Sequence, residues 1–127
     1  MDAEAIRKLF ASPLGQRMLS ADAIRREFKF SLLADAGELL GEAPGEELLL
    51  QGVVDCFFEE DGQLTIVDYK TDRLKNRAEA ETRAAFYTAQ LRAYARALTR
   101  ICQKPVRECA LYFLSVGETV IVPFFES

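Results

Sequence analysis

The stretch QLTIVDYKTD (Gln63–Asp72) begins as an apolar β-strand and ends in charged residues. Successive side chains of a strand point to opposite faces, so every second residue shares a face. An acid and a base therefore occupy positions at which an apolar face should continue, and such groups need a partner or a ligand. One face is predicted to carry these side chains: Leu64, Ile66, Asp68 and Lys70.

A second strand, ELLLQGVVDCFFEE (47–60), precedes this one and is separated from it by Asp61-Gly62. That dipeptide is typical of a two-residue hairpin turn. Asp55 stands six residues before the turn and Asp68 six residues after it. Because residues equidistant from the turn face each other, the two carboxylates are predicted to be opposed, with Cβ atoms about 4.5–5.5 Å apart.

Opposed carboxylates destabilise a sheet unless a positive charge lies between them. Lys70 could supply that charge as a structural ion pair at the sheet margin. Alternatively, a hard cation such as Mg²⁺ takes one or two carboxylates together with water and substrate phosphate. It could activate water against a phosphodiester, while Lys70 holds a phosphate oxygen or positions the attacking water. Because Asp55 and Asp68 interrupt apolar strands, a metal-and-phosphate site is the favoured hypothesis.

The composition predicts one globular domain over residues 1–127, since half of the residues are hydrophobic and 28% are charged. No apolar run approaches the roughly 20 residues of a membrane span. The N-terminal MDAEAIRKLF lacks the apolar core of a secretory signal. We therefore expect a cytoplasmic protein without a membrane partner.

The cysteine and histidine content excludes several kinds of site. Cys56, Cys102 and Cys109 show no CxxC spacing and are predicted to be reduced, buried thiols. An iron–sulfur cluster normally takes four thiolates, so none is expected. The sequence contains no histidine, which excludes serine–histidine triads and histidine-ligated zinc sites.

The net charge of −4 argues against a nucleic-acid binder, but the charge is unevenly distributed. Residues 1–69 carry 6 basic and 14 acidic groups, whereas residues 70–107 carry 10 basic and 3 acidic groups. The basic segment is either a solvated helix face or a surface that contacts phosphates. Its candidate phosphate ligands are Arg73, Lys75, Arg77, Arg92 and Arg96.

Periodicity and the positions of Gly and Pro predict the remaining elements. The order is α-β-β-β-α-β-β, in a single α/β or α+β domain. The predicted elements are a short helix at 3–10, a second helix opened by Ser12-Pro13 and running to Met18 or Leu19, a strand at 24–33, a surface loop or hairpin excursion at 34–46, a long helix at 79–101 ended by Lys104-Pro105, and two strands around 116–118.

Three motifs together resemble the PD-(D/E)XK nuclease signature in its RecB-like form: GVVD (52–55), VDYKTD (67–72) and QLRAY (90–94). A lone Asp-x-Lys would be a weak signal, but the spaced acids followed by Gln-x-x-x-Tyr are specific. The similarity covers roughly Phe10 to Phe124. It implies a restriction-endonuclease-like core, in which helices flank a central mixed sheet.

The resemblance also implies catalytic roles. Asp55 and Asp68 correspond to metal-ligating acids and Lys70 to the catalytic lysine. Glu27, in REFKF (26–30), matches an upstream acid that joins the metal site. The alternative for Glu27 is a plain surface carboxylate.

Gln90 and Tyr94 match a pair on the helix that follows the core strands. They are four residues apart and share one helix face, from which they could touch DNA or brace the active-site lysine. The alternative is a core position for Tyr94 and a surface position for Gln90.

The function implied by the resemblance is metal-dependent hydrolysis of DNA phosphodiesters by an exonuclease. The cofactor would be Mg²⁺, with Mn²⁺ as a substitute. The setting would be the processing of double-strand breaks for recombinational repair by a bacterial ATP-dependent helicase–nuclease. The implied partners are DNA, the helicase portion of the same polypeptide and a second helicase–nuclease subunit, so we expect the chain to be a piece of a larger protein.

One departure from the family bears on activity. RecB-like nucleases usually place a metal-binding histidine on a helix upstream of these motifs, and this chain has no histidine. We therefore expect the isolated chain to hold its metal loosely and to cut DNA feebly. One alternative is a catalytically silent DNA-binding or protein-docking module of the same complex. The other is a stand-alone restriction-like or Cas4-like nuclease, although Cas4-like members usually carry a cluster with a fourth cysteine.

Overall fold

The chain forms a mixed β-sheet with helices on both faces, as the computed structural model shows for residues 3–35, 37 and 45–124. This α+β architecture is the predicted one. In chain order, the described elements are α1 (Ala3–Ala11), α2 (Pro13–Ser20), β1 (Ala23–Asp35), β2 (Glu47–Glu60), β3 (Gln63–Lys70), α3 (Arg77–Cys102), β4 (Val106–Phe113) and β5 (Glu118–Pro123).

Every predicted helix and strand is present, with differences at the ends. β1 runs on to Asp35, into the segment predicted as a loop, because its last residues pair with the start of β2. In the rest of that loop prediction, Gly37 is helical and residues 45–46 form no helix or strand, whereas residues 36 and 38–44 lie outside the described part of the chain. The long helix begins at Arg77, since the Asn76 side chain accepts a hydrogen bond from the Glu79 N–H as the N-cap. None of the described helices combines the length and apolar character that crossing a membrane requires.

The sheet order is β1-β2-β3-β4-β5, and only the β3–β4 pair is parallel, with α3 as the crossover between its strands. The β2–β3 hairpin turns at Asp61 and Gly62, whose φ angles of 52° and 76° are both left-handed, as a type I′ turn requires. Pairs such as Phe58↔Thr65 confirm the predicted register.

Two clusters of buried side chains lie on opposite faces of the sheet. The face toward α3 includes Leu64 and Ile66 of β3, which pack with Leu91 and Leu98 of the helix. The other face includes Val67 and packs against α1 and α2. β3 therefore alternates as predicted, and its α3 face is the one that continues toward the charged residues. Cys56 and Cys109 are buried free thiols, and Cys102 is a half-buried one.

The two N-terminal helices cross at a glycine. The Ser12 hydroxyl accepts a hydrogen bond from the Gly15 N–H and caps α2, and Pro13 occupies the first turn. A Cβ atom at Gly15 would lie 2.5 Å from the Phe10 Cα and closer still to the Leu9 carbonyl oxygen. Only a residue without a side chain permits this approach of α2 to the backbone of α1.

Gly15→Ala tests this packing. In an open helix the change would stabilise the protein by up to about 1 kcal/mol, because Ala is the better helix former. Here the new methyl group meets backbone atoms, so we expect a loss of about 1–3 kcal/mol in the free energy of unfolding, measured by urea denaturation. The matched control is Leu19→Ala, at an exposed position of the same helix. Equal stability of the two variants would contradict the close approach.

Candidate active site

The site lies where β2 and β3 separate. Their ladder ends with Cys56 opposite Val67. Beyond this pair, the N–H of Tyr69, two residues after Val67, donates a hydrogen bond of 2.8 Å to Oδ2 of Asp55, one residue before Cys56. A side-chain carboxylate therefore takes the place of a backbone acceptor at this point, and it holds the ends of the two strands together.

β2 also turns over at Asp55. Val54 packs in the cluster on the α3 face, whereas Cys56, two residues along, packs in the cluster on the opposite face. Residues two apart normally share a face, so the alternation reverses at Asp55. The β1–β2 ladder is interrupted at the same level, because Glu27 and Asp55 are skipped between flanking pairs, and Glu27 has a left-handed φ of 50°. The sequence predicted regular alternation through the hairpin and did not anticipate this distortion.

Asp68 and Lys70 follow the apolar residues of β3 and form an ion pair, with 2.9 Å between Lys70 Nζ and Asp68 Oδ2. Their side chains are 21% and 17% exposed, respectively. Burial raises the pKa of Asp68 from 3.8 to about 6, and a hydrogen bond with Asp55 adds to the effect. The opposing effect of Lys70 on this pKa is smaller. The two carboxyl groups are thus close enough for a hydrogen bond, and their proximity disfavours ionisation of Asp68. The predicted direct pairing of Asp55 with Asp68 is not part of the β2–β3 ladder, which ends one pair earlier.

The Lys70 ammonium group has a second contact, with α3. Its Nζ lies 3.9 Å from the ring centroid of Tyr87, within the range of a cation–π interaction. Burial lowers the pKa of Lys70, but the hydrogen bond and charge of Asp68 outweigh burial and the pKa is raised. Lys70 therefore keeps its proton between a carboxylate and an aromatic ring.

Tyr87 is itself held in place. Its hydroxyl donates to the two carboxylate oxygens of Asp72, at 2.9 and 3.1 Å, and Arg83 Nε lies 3.4 Å from the same carboxylate. Residues from the end of β3 and the first half of α3 thus form a connected chain of contacts that ends at the Lys70 amine.

The sequence analysis gave Tyr87 no role at the site and missed this contact. Its spacing carried a signal, because it lies three residues before Gln90 and seven before Tyr94 and shares their helix face. Tyr94 instead packs edge-on against Phe30, with ring centroids 5.1 Å apart. Gln90 Nε2 lies 3.5 Å from the Tyr94 hydroxyl. Within the described residues, no contact joins Gln90 or Tyr94 to Lys70, and their roles stay predictions.

Glu27 is exposed, and no hydrogen bond or ion pair links it to Asp55 or Asp68 in the described part of the chain. The structure places it on the neighbouring strand, at the level of Asp55, without drawing it into the carboxylate pair. Its role as a third ligand stays a prediction.

The basic residues fall into different settings. Arg77 is engaged, with ion pairs to Glu81 and Glu118. Arg73 and Lys75 are exposed, and neither side chain has an ion pair with another described residue. Arg92 is exposed and Arg96 half-buried. Arg73, Lys75 and Arg92 are therefore the exposed cations of this set for which no ion pair is found among the described residues.

The donor set fits a hard cation but is small. Over residues 3–35, 37 and 45–124, no group of three or more Asp, Glu or Cys side chains is arranged around a possible metal position. Asp55 and Asp68 supply carboxylate oxygens alone, and burial together with the hydrogen bond to Asp55 raises the pKa of Asp68 despite the nearby Lys70. Mg²⁺ takes one or two carboxylates and keeps several waters, so two acids meet its minimum.

With this fold and this arrangement of acids and lysine, the chain belongs to the PD-(D/E)XK nuclease superfamily, whose family model matches residues 2–121. Among curated proteins it is similar to the A subunit of the ATP-dependent helicase/nuclease from several bacteria. It is 43% identical to the Carboxydothermus hydrogenoformans protein over 124 residues, 96% of this chain. The Acetivibrio thermocellus protein is 43% identical over 122 residues (92%), and the Bacillus pumilus protein 37% over 118 residues (87%).

In each case the match covers 10% of the relative. The chain thus spans about a tenth of the length of the curated relatives it matches. The family resemblance inferred from the three motifs is confirmed.

Asp68→Asn tests the electrostatics of the carboxylate pair. Because the pKa of Asp68 is raised in the folded protein, protonation of this carboxyl group stabilises the fold. The stabilisation is complete below the ordinary pKa of 3.8 and is lost as the pH rises through about 6. In EDTA at pH 8 we therefore expect the variant to be more stable than the parent by about 1–2 kcal/mol, after allowing for solvent screening. The difference should shrink toward pH 4, as followed by urea denaturation.

The control for this comparison is Asp61→Asn, which removes an exposed carboxylate at a turn position that tolerates either residue. A parent more stable than Asp68→Asn at pH 8 would show that the ion pair with Lys70 outweighs burial and the neighbouring carboxylate.

Proposed function

We propose that this chain is the nuclease domain of an ATP-dependent helicase–nuclease and hydrolyses DNA phosphodiesters as an exonuclease during the processing of broken DNA ends. The observation that carries the proposal is the contact between Asp55, Asp68 and Lys70 at the point where β2 and β3 separate. Membership of a nuclease superfamily and the helicase/nuclease names of the relatives support the same activity.

A divalent cation, Mg²⁺ or Mn²⁺, would be held by Asp55 and Asp68, and Glu27, at the level of Asp55 on the neighbouring strand, is the candidate for a further carboxylate. When bound, such an ion supplies Lewis acidity toward the phosphate and lowers the pKa of water. It would also relieve the repulsion that now disfavours ionisation of Asp68.

Lys70 would bind a non-bridging oxygen of the scissile phosphate. Its ammonium group keeps its proton and is fixed between Asp68 and the Tyr87 ring, so it needs little reorganisation when negative charge develops. The small exposure of Lys70 limits water around its ammonium group, which strengthens its attraction to a phosphate. Asp72 and Arg83 orient Tyr87 and thereby position the lysine.

The proposed partners are DNA, the helicase portion of the same polypeptide and a second helicase–nuclease subunit. They rest on the names of relatives that are about ten times as long as this chain. A catalytically silent module that binds DNA or protein is the second candidate. One observation favours it: only two acids are in contact in the described part of the site, and the sequence has no histidine to add a ligand.

Substitution of Asp68 and Lys70 separates metal binding from catalysis. Asp68→Ala should abolish both Mn²⁺ binding, measured by calorimetry, and cleavage of end-labelled DNA. Lys70→Ala should retain Mn²⁺ binding but cut about 10²–10³-fold more slowly, as expected for loss of one transition-state donor. Lys104→Ala is the matched control, since Lys104 pairs with Glu59 away from the site. Equal loss of metal affinity in both site variants would make Lys70 a structural residue, and cleavage unchanged by Asp68→Ala would refute the proposed site.

Tyr87 is a positioning residue, and two substitutions test it. Tyr87→Leu removes the ring from Lys70 and should lower kcat by about 10-fold or more with little change in KM, because substrate contacts remain. Tyr87→Phe keeps the ring but loses the hydrogen bonds to Asp72, so it should restore most of kcat. Equal kcat values for the two variants would show that the contact between ring and ammonium does not contribute.

A further inference from the structure

Phe86 is an aromatic side chain left in solvent. It is 73% exposed, more than any other large hydrophobic side chain in the described part of the chain. It lies on α3 directly before Tyr87. The helix therefore presents the ring of Tyr87 to Lys70 and the ring of Phe86 to solvent. An exposed phenyl ring adds nothing to the core, and a polar residue would suit this helix position equally well.

The surroundings of Phe86 are charged, with two arginines and one acidic residue, Glu79, on the same groove. The ring borders an open groove of about 510 Å³ between the first half of α3 and the segment that leaves β3. Two arginines line the groove with it. The Arg83 guanidinium lies 5.5 Å from the ring centroid, and Arg73 is exposed without an ion pair to another described residue.

The groove adjoins the proposed active site. Arg83 contacts the Asp72 carboxylate on one side and the Phe86 ring on the other. Asp72 in turn accepts the hydroxyl of Tyr87, whose ring contacts Lys70. A ligand lying in the groove would therefore reach the residues that brace the lysine.

We propose that Phe86, with Arg73 and Arg83, is a stacking site for an unpaired base of the DNA strand that enters the active site. A ring with an open face accepts any base, and adjacent arginines neutralise the phosphates on either side of it. A duplex hides its base faces, so the site selects a single strand or a frayed end. A protein partner would favour a contiguous apolar patch, whereas this groove is lined mainly by polar and charged side chains.

This inference rests on the proposed nuclease function and names the form of DNA that it acts on. Fluorescence anisotropy tests it in EDTA, where the metal-dependent reaction is off, so binding is read independently of catalysis. The probes are a labelled oligothymidylate, an abasic strand of the same length and a blunt duplex. The variants are Phe86→Ala, Phe86→Trp, Arg73→Gln and, as a control at another exposed apolar residue, Leu19→Ala.

Phe86→Ala is expected to weaken binding of the oligothymidylate by about 5- to 150-fold, the range for loss of one base–aromatic stack. Binding of the abasic strand and the duplex should not change, because neither offers a free base face. Phe86→Trp should bind as tightly as the parent. Arg73→Gln should weaken the oligothymidylate and the abasic strand alike, and reduce the slope of log K against log salt by about 0.7.

Two results would overturn the stacking site. One is unchanged oligothymidylate binding by Phe86→Ala, which would leave the ring to a protein contact. The other is equal weakening of the abasic strand, which would show that no base is stacked. Either result leaves the loss of cleavage in Asp68→Ala, and hence the nuclease function, untouched. Conversely, Asp68→Ala could leave cleavage unchanged while binding still depends on a free base. That combination would refute the nuclease site and retain the DNA-binding site.

Discussion

The hydrogen bond from the Tyr69 N–H to the Asp55 carboxylate is the constraint on which the site depends. It joins two strands at the level where their ladder stops, and it uses a charged side chain as the acceptor. Since that carboxylate is fixed by the backbone of β3, it cannot turn away from Asp68. The repulsion between the two acids is therefore built into the hairpin and does not depend on side-chain choice alone.

A protein selected for stability alone would avoid this arrangement. Asp68 is buried next to another carboxylate, and its raised pKa shows that Lys70 does not compensate fully. Active sites commonly keep such locally unfavourable groups, which the surrounding core must offset. Here the offset comes from two well-packed faces of the sheet, each with its own buried cluster. The position of β3 between both clusters explains why it can end in charged residues.

Much of the fold and part of the site were predictable from the sequence. Alternation in β3, the Asp61-Gly62 turn and the Ser12 cap are local signals, so the hairpin register and the contact of Asp55 with Asp68 followed from them. The reversal of β2 at Asp55 was not predictable, because the local sequence is apolar on both sides of this residue and carries no signal of a change of face. The contact of Tyr87 with Lys70 was not predictable either. The sequence pattern of an aromatic residue at helical spacing is the same whether its ring packs in the core or lies beneath an ammonium group. Glu27 lies at the same break in the ladder and is exposed, with no hydrogen bond or ion pair to Asp55 or Asp68 among the described residues.

The parallel pairing of β3 with β4 also has a consequence for how the domain assembles. Ile66 pairs with Cys109, so roughly 40 residues, including all of α3, must be in place before this pair closes. Such non-local contacts form late, because the chain loses the entropy of loop closure before the pairing contributes any stability. The β2–β3 hairpin, by contrast, is local and can bring its acids together early. We therefore expect a nascent or truncated chain to form the carboxylate pair before the helix that braces Lys70 is in place. In hydrogen exchange during refolding, the amides of β4 would then become protected late.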